Sequence, residues 1–214
     1  KYVSLNKLES SDIEKMRYPL IVKPADCNSS KGVKKVFNKE ELTVAFNEAV
    51  NFSRTHTAIV EEYITGEEIT IDVQVQDGVA HVLSMAYSDK IGAEDKFVIY
   101  RTRWPISEKP QVYEQIKETA QKIADAFNLK NSPMLIQVIC DHEKIYVLEF
   151  SARTGGGVKY NLIKRVSGFD VIAGVVDLTL KRPIDLKLYP PEAKYISNLF
   201  IYCNEGVFDH LEGF

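Results

Sequence analysis

Hydrophobic and polar positions change period several times along this chain, and each change marks an element. Residues 1–18 are polar and mixed, with one helical turn predicted over Ser10–Met16. Leu20-Ile21-Val22 is short, apolar and branched, which predicts a buried strand ending at Lys23-Pro24. A small, polar, turn-rich stretch runs from Ala25 to Val33, and Val33–Phe37 predicts the returning strand. Asn38 is placed to cap a helix over Lys39–Phe52, whose Leu42, Ala45, Phe46, Ala49 and Val50 share one face. Thr57–Ile64 is strand-like, turning acidic at Glu61. Glu68–Gln76 alternates through Ile69, Ile71, Val73 and Val75, Asp77-Gly78 predicts a tight hairpin turn, and Val79–Tyr87 returns.

The second half continues in the same manner. Ser88–Lys96 is a charged loop, and Phe97–Trp104 is a strand that Pro105 stops. Ser107–Asn128 predicts a long amphipathic helix through Val112, Ile116, Ala120, Ile123, Ala124 and Phe127. Pro133–Cys140 and Ile145–Phe150 predict a hairpin turning at Asp141–Lys144. Helices follow at Asn161–Val166 and Asp170–Leu180, and a last strand at Lys194–Tyr202. Antiparallel hairpins with flanking helices predict an α+β fold rather than a regular β-α alternation.

Composition narrows the functional classes. With 214 residues, 45% of them hydrophobic, the chain can build one large domain or two small lobes. A net charge of −3 and a pI near 5.9 leave no basic footprint for nucleic acid. No apolar run approaches membrane-spanning length and no secretory leader is visible, so no membrane partner is expected. Cys27, Cys140 and Cys203 match neither a disulfide framework nor a metal-ligand spacing, and the expected setting is reducing and cytoplasmic. The chain opens on Lys1 and runs almost at once into domain-like sequence, which suggests an excised domain or a missing front.

Candidate chemistry concentrates in Val147–Gly157, VLEFSARTGGG. On a strand Glu149, Ser151 and Arg153 would point one way, followed by glycines where backbone passes close to something. A carboxylate and an arginine at that spacing suit a metal–phosphate site, while a surface ion pair and a glycine turn fit equally. Gln137, across the predicted hairpin, could share a metal with Glu149 or make a cross-strand hydrogen bond. Lys23 ends a buried run, where an ammonium needs an anion. The stretch from Asp26 to Gly32 with Lys31 suits a phosphate cradle, although GxxxxGK[ST] is absent and an ordinary hairpin fits too. Glu61-Glu62-Tyr63-Ile64 with Glu67-Glu68 suits an adenine amino group and ribose hydroxyls, or a solvated acidic strand end. His56, His81, His142 and His210 show no metal spacing. Arg101 and Arg103 read as a solvated edge strand, or as contacts to an anionic substrate. Gly155-Gly156-Gly157 before Lys159 could offer amides to a carboxylate, and Asp89–Lys96 reads as a lid or a plain loop.

Taken in order, Ile21-Val22-Lys23-Pro24, Asn28-Ser29-Ser30-Lys31-Gly32, Val60–Glu68, and Gln137 with Leu148–Arg153 resemble the ATP-grasp superfamily. The resemblance covers most of the chain and points to the carbamoyl-phosphate synthase, biotin carboxylase and amino-acid ligase branches. It implies two lobes clasping ATP, divided as 1–85 and 86–190, with 191–214 opening a C-terminal subdomain. It implies Lys23 on the nucleotide phosphates and Ser29, Ser30, Lys31 and Gly32 closing over them. Glu61, Glu62, Tyr63 and Ile64 would hold adenine and Glu68 the ribose; Gln137, Glu149 and Ser151 would hold Mg²⁺ or Mn²⁺. Arg153, with Lys23, would be catalytic. The implied reaction is ATP-dependent ligation of a carboxylate with an amine, ammonia or thiol through an acyl phosphate. Relatives usually carry a preceding N-terminal lobe, which would be a partner here, and a homodimer is left open. Ser151 departs from the usual asparagine, so a nucleotide-binding module without activity of its own is the alternative.

Overall fold

The computed structural model describes residues 1–8, 13–91, 97–203, 205–207, 209–210 and 212. Two antiparallel sheets organise them. The first contains β1 (Tyr2–Leu5), β2 (Leu20–Pro24), β3 (Lys34–Val36) and β4 (Ala58–Glu62), in the order β1-β4-β2-β3. Helix α1 (Lys39–Phe52) packs on one face, where Leu42, Phe46 and Ala49 meet Leu20, Val22 and Val60. The Asn38 side chain accepts from the Glu41 amide at 2.9 Å, and the Glu41 carboxylate accepts in return from the Phe37 amide at 2.9 Å. That reciprocal cap fixes where α1 begins.

The second sheet runs β10-β7-β6-β5-β8-β9. Its strands are β5 (Glu67–Gln76), β6 (Val79–Lys90), β7 (Ile99–Trp104), β8 (Ser132–Asp141), β9 (Lys144–Ser151) and β10 (Ile196–Leu199). Asp77 and Gly78 take φ values of 51° and 85°, the two-residue turn that matches the twist of β5 and β6. Helix α2 (Pro110–Ala126) covers the back of this sheet. Its Val112, Ile116, Ala120 and Ala124 bury against Ile69, Ile71, Val73 and Val75, the apolar phase of β5. The other phase, Glu68, Thr70, Asp72 and Gln74, is buried as well and faces forward. Helices α3 (Lys159–Ser167) and α4 (Val171–Thr179) cover part of that front face through Leu83, Ile163, Phe169 and Val171.

Several expectations need correction. The chain changes sheet at residues 63–66, not near residue 85, because β5 and β6 pair with β8 and β7 and bury their apolar phase on α2. The stretch from 191 does not open a separate subdomain at once, because β10 pairs with β7, Ile196 opposite Trp104. That pairing also makes β7 an interior strand rather than an edge. At the front, β1 forms in polar, mixed sequence that predicts no strand, by pairing with β4. The expected turn over Ser10–Met16 is a 3-10 turn at Ile13–Lys15, and its first residues lie outside the described residues. Of the expected Asp89–Lys96 loop, Asp89 and Lys90 belong to β6, and 92–96 lie outside the described residues.

Candidate functional site

A cleft of about 1080 Å³ opens between the two sheets. Lys23, Ser29, Ser30, Lys31 and Glu61–Ile64 line it from the first sheet, and Glu68, Gln137, Glu149 and Arg153 from the second.

On the first sheet, alternation decides the placement. Leu20 and Val22 enter the core, so Ile21 and Lys23 face the cleft. The anion that Lys23 requires lies within the protein: its Nζ stands 2.7 Å from Glu61 Oε1 on the neighbouring strand. The following loop turns twice, Lys31 N–H donating to Asn28 and Val33 N–H to Ser30, with Ser29 and Ser30 both at φ 56°. Asp26 moors its start by accepting from the Arg54 and Thr55 amides. Hydrogen bonds from Ser53, Thr55 and Arg54 hold the Asp26 carboxyl below its ordinary value. Gly32 is not among the lining residues. It has φ 74°, and a Cβ there would stand 2.9 Å from Pro24 Cγ, so this glycine closes the base of the loop. At the tip, Ser30 Oγ donates to the Phe97 carbonyl at 3.0 Å, across to the second sheet.

The segment after β4 is fixed by Tyr63 N–H donating to Pro19 at 3.0 Å, and Lys35 Nζ lies 3.9 Å from the Tyr63 ring centre. Glu62 accepts from the Arg17 amide at 3.2 Å. The amide of Ile64 makes no hydrogen bond among the described residues.

On the second sheet, Gln137 stands directly opposite Glu149 in the β8–β9 register. Gln137 Nε2 donates to Glu68 Oε1 at 3.0 Å, and Glu68 Oε2 meets Lys90 Nζ at 2.5 Å. The Gln137 amide oxygen is thereby left free. Glu149 makes neither hydrogen bond nor ion pair among the described residues and lines the cleft. Two oxygen donors side by side fit a magnesium ion whose other ligands are phosphates and waters. Ser151 pairs with Leu135 at the strand end and is absent from the cleft lining. Arg153 lies beyond the end of β9, so it does not continue the strand alternation with Glu149. A turn closed by Arg153 N–H to Ser151 at 2.8 Å brings it to the cleft instead. Arg101 and Arg103 both converge on Asp89, at 2.6 and 2.7 Å.

Sequence reasoning passed over Lys90, Asp72 and the environment of Lys159. Asp72 is buried: its Oδ2 accepts from Ser84 Oγ at 2.6 Å and its Oδ1 has no partner. Lys159, in the first turn of α3, is 7% exposed yet lines the cleft. Burial pushes its ammonium below the ordinary value, against the opposing pull of the Asp72 and Glu68 carboxylates. The polar phase of β5 was the available signal, and the apolar phase beside it masked it.

A family model describing an ATP-grasp domain matches residues 16–161. The chain belongs to the ATP-grasp family. Among curated relatives of this ATP-grasp chain, the carbamoyl phosphate synthase large chain of Clostridium acetobutylicum is 25% identical over 200 residues. That match covers 87% of this chain and 18% of the relative, so the chain spans less than a fifth of the relative's length. Among solved structures, the L-amino acid ligase of Bacillus licheniformis superposes with a TM-score of 0.78 at 24% identity, covering 98% of this chain and 51% of that one. The biotin carboxylase domain of the 2-oxoglutarate carboxylase of Hydrogenobacter thermophilus, a complex with MgADP, ADP and bicarbonate, superposes at 0.69 with 19% identity. It covers 85% of this chain and 40% of that one. The ATP-grasp fold is therefore α+β, as the hairpin pattern predicted.

Proposed function

We propose that this ATP-grasp chain binds Mg-ATP in the cleft and activates a small carboxylate as an acyl phosphate, which an amine, ammonia or thiol then attacks. The observation that carries this reading is the shared cleft: Lys23 and Lys31 face Gln137, Glu149 and Arg153 across one groove. Lys23, Lys31, Ser29 and Ser30 hold the phosphates, with Lys23 exchanging its bond to Glu61 for a phosphate oxygen. The Ile64 amide and the backbone of Glu62 meet adenine beside Tyr63, and Glu61 accepts from its amino group. Glu68 takes ribose hydroxyls with lone pairs that Lys90 and Gln137 leave free. Gln137 and Glu149 hold Mg²⁺, which when bound neutralises phosphate charge. Ser151, the third oxygen donor expected there, is absent from the cleft lining and is not needed for this pair to hold the metal.

The carboxylate oxygen attacks the γ-phosphorus, the bond from γ-phosphorus to the bridging oxygen breaks, and ADP leaves with that electron pair. Arg153 faces the charge that develops on the transferred group. The nucleophile then displaces phosphate from the acyl carbon. Positioning and fixed charge supply most of the acceleration. Calorimetry with Mg-ATP, followed by hydroxylamine trapping of acyl phosphates over a panel of small carboxylates, tests the reading. Absence of Mg-ATP binding overturns it. Binding without any trapped hydroxamate favours the second reading, a nucleotide-binding module, for which the position of Ser151 outside the cleft lining speaks.

A further inference from the structure

Lys159 is a buried cation without a bonded partner among the described residues. It is 7% exposed, and among the described residues it makes no hydrogen bond and no ion pair. A desolvated ammonium in that state is costly unless an anion joins it. Asp72 and Glu68 of β5 are the carboxylates that act on it. Neither is within bonding reach: Glu68 is taken by Lys90 and Gln137, and Asp72 lies beneath Gly155, outside the cleft lining. Lys159 does line the cleft, while its stem and Asp72 Oδ1 both border Gly155.

Independent features of the backbone converge on the same place. Lys159 opens the nine-residue helix α3, whose N-cap residue Val158 supplies no side-chain cap. The first amides of a helix lack intrahelical partners and carry partial positive charge. Gly157 and Val158 take successive positive φ values, 69° and 60°, which turn amides toward one side. A Cβ on Gly156 would meet nothing within 4 Å, so that side is open. Arg153 lines the same end of the cleft, and the loop bearing Ser29, Ser30 and Lys31 lines the opposite wall.

We propose that Lys159, with the amides of the glycine run and the start of α3, anchors the carboxylate that the site activates. This rests on the reading above that the cleft activates a carboxylate. A single ammonium with flanking amides matches a monoanion, whereas the phosphates have their own cations on the far wall. Asp72, held by Ser84, offsets part of the Lys159 charge through space without bonding to it.

Calorimetry on the full chain, with and without the Mg complex of a non-hydrolysable ATP analogue, tests this with acetate, glycine, glutamate, bicarbonate and inorganic phosphate as probes. Wild type is expected to bind at least one carboxylate. Lys159→Met should weaken that binding by roughly 10- to 100-fold, the range for a lost charge-assisted hydrogen bond. Lys159→Arg should stay within about fivefold, because the charge is kept. Analogue affinity should move by less than about threefold in both variants, as expected for a separate site. If Lys159→Met fails to fold, Asp72→Asn with Lys159→Met removes both charges and must still lose carboxylate binding. Equal carboxylate affinity in wild type and Lys159→Met, no carboxylate bound, or phosphate bound alone would each overturn the proposal. Lys159-dependent carboxylate binding in a protein that ignores the ATP analogue would uphold it and strike the nucleotide reading instead.

Discussion

Gly66→Ala tests the packing that fixes the connection between the two sheets. A Cβ at Gly66 would stand 2.3 Å from the Cys140 carbonyl oxygen, 2.8 Å from its carbonyl carbon and 2.8 Å from Ile139 Cγ2. Even a close carbon–oxygen contact is about 3.3 Å, so something must retreat by roughly 1 Å. Cys140 cannot yield readily, because it is paired to Glu67 on one side and Ile145 on the other. Overpacking of this kind costs about 1–3 kcal/mol, and a backbone neighbour puts this position near the upper end. Each kcal/mol lowers the melting temperature of a chain this size by about 2–4 °C, so the drop should be roughly 6–12 °C. Urea titrations followed by far-UV circular dichroism and by the fluorescence of Trp104 measure it, with the midpoint falling and the slope unchanged. Gly156→Ala is the control: a Cβ there meets nothing within 4 Å, and the change should stay within about 0.5 kcal/mol. Equal midpoints for Gly66→Ala and wild type would refute the packing account, as would an equal loss in the control.

Other expected outcomes are narrower. Glu149→Gln should weaken magnesium-dependent nucleotide binding by about 10- to 100-fold while the fold stays intact, read by calorimetry against melting temperature. Chelation with EDTA should bring wild type down to the level of that variant, and a larger residual affinity in wild type would count against the metal assignment. Asn38→Ala should cost about 1 kcal/mol, since the Glu41 amide loses its acceptor. The Asp89 carboxyl is held below its ordinary 3.8, chiefly by the Arg103 hydrogen bond and then by Arg101 against the opposing effect of burial. A depressed carboxylate stabilises above its unfolded value and loses that contribution as pH falls through the folded one. Asp89→Asn should therefore flatten the loss of stability below about pH 4 in acid titrations. An unchanged acid limb would show that the arginine pair is energetically idle.

The parts of the fold that sequence revealed are those governed by short-range physics. The α1 cap needs only Asn38 and Glu41, three residues apart. The β5–β6 turn needs only Asp77 and Gly78, and the hairpin that sets Gln137 opposite Glu149 follows from a turn between adjacent strands. The misplaced division between the sheets has a different origin. A charged stretch after Tyr87 looked like a boundary, yet β6 continues through Lys90 because Asp89 gains two arginines and Lys90 gains Glu68. Those partners lie on other strands and leave no local trace. Arg153 reaches the cleft by a route that strand alternation does not supply, since β9 stops before it and a turn does the aiming. The counter-ion of Lys23 leaves no local trace either, because Glu61 lies two strands later in sequence.

Residues 63–66 have a mechanical meaning. No helix or strand of the first sheet packs extensively on one of the second among the described residues. Apart from covalent continuity, the hydrogen bond that joins them among the described residues is the hydroxyl of Ser30 on the carbonyl of Phe97. A bond of that kind contributes about 1 kcal/mol net. The molecule is thus a pair of jaws on one short strap, latched by a bond that thermal motion breaks often. Among the described residues, swinging apart breaks no strand pairing and parts no apolar cluster, so admitting a bulky polyanion and letting it go demand no unfolding of them.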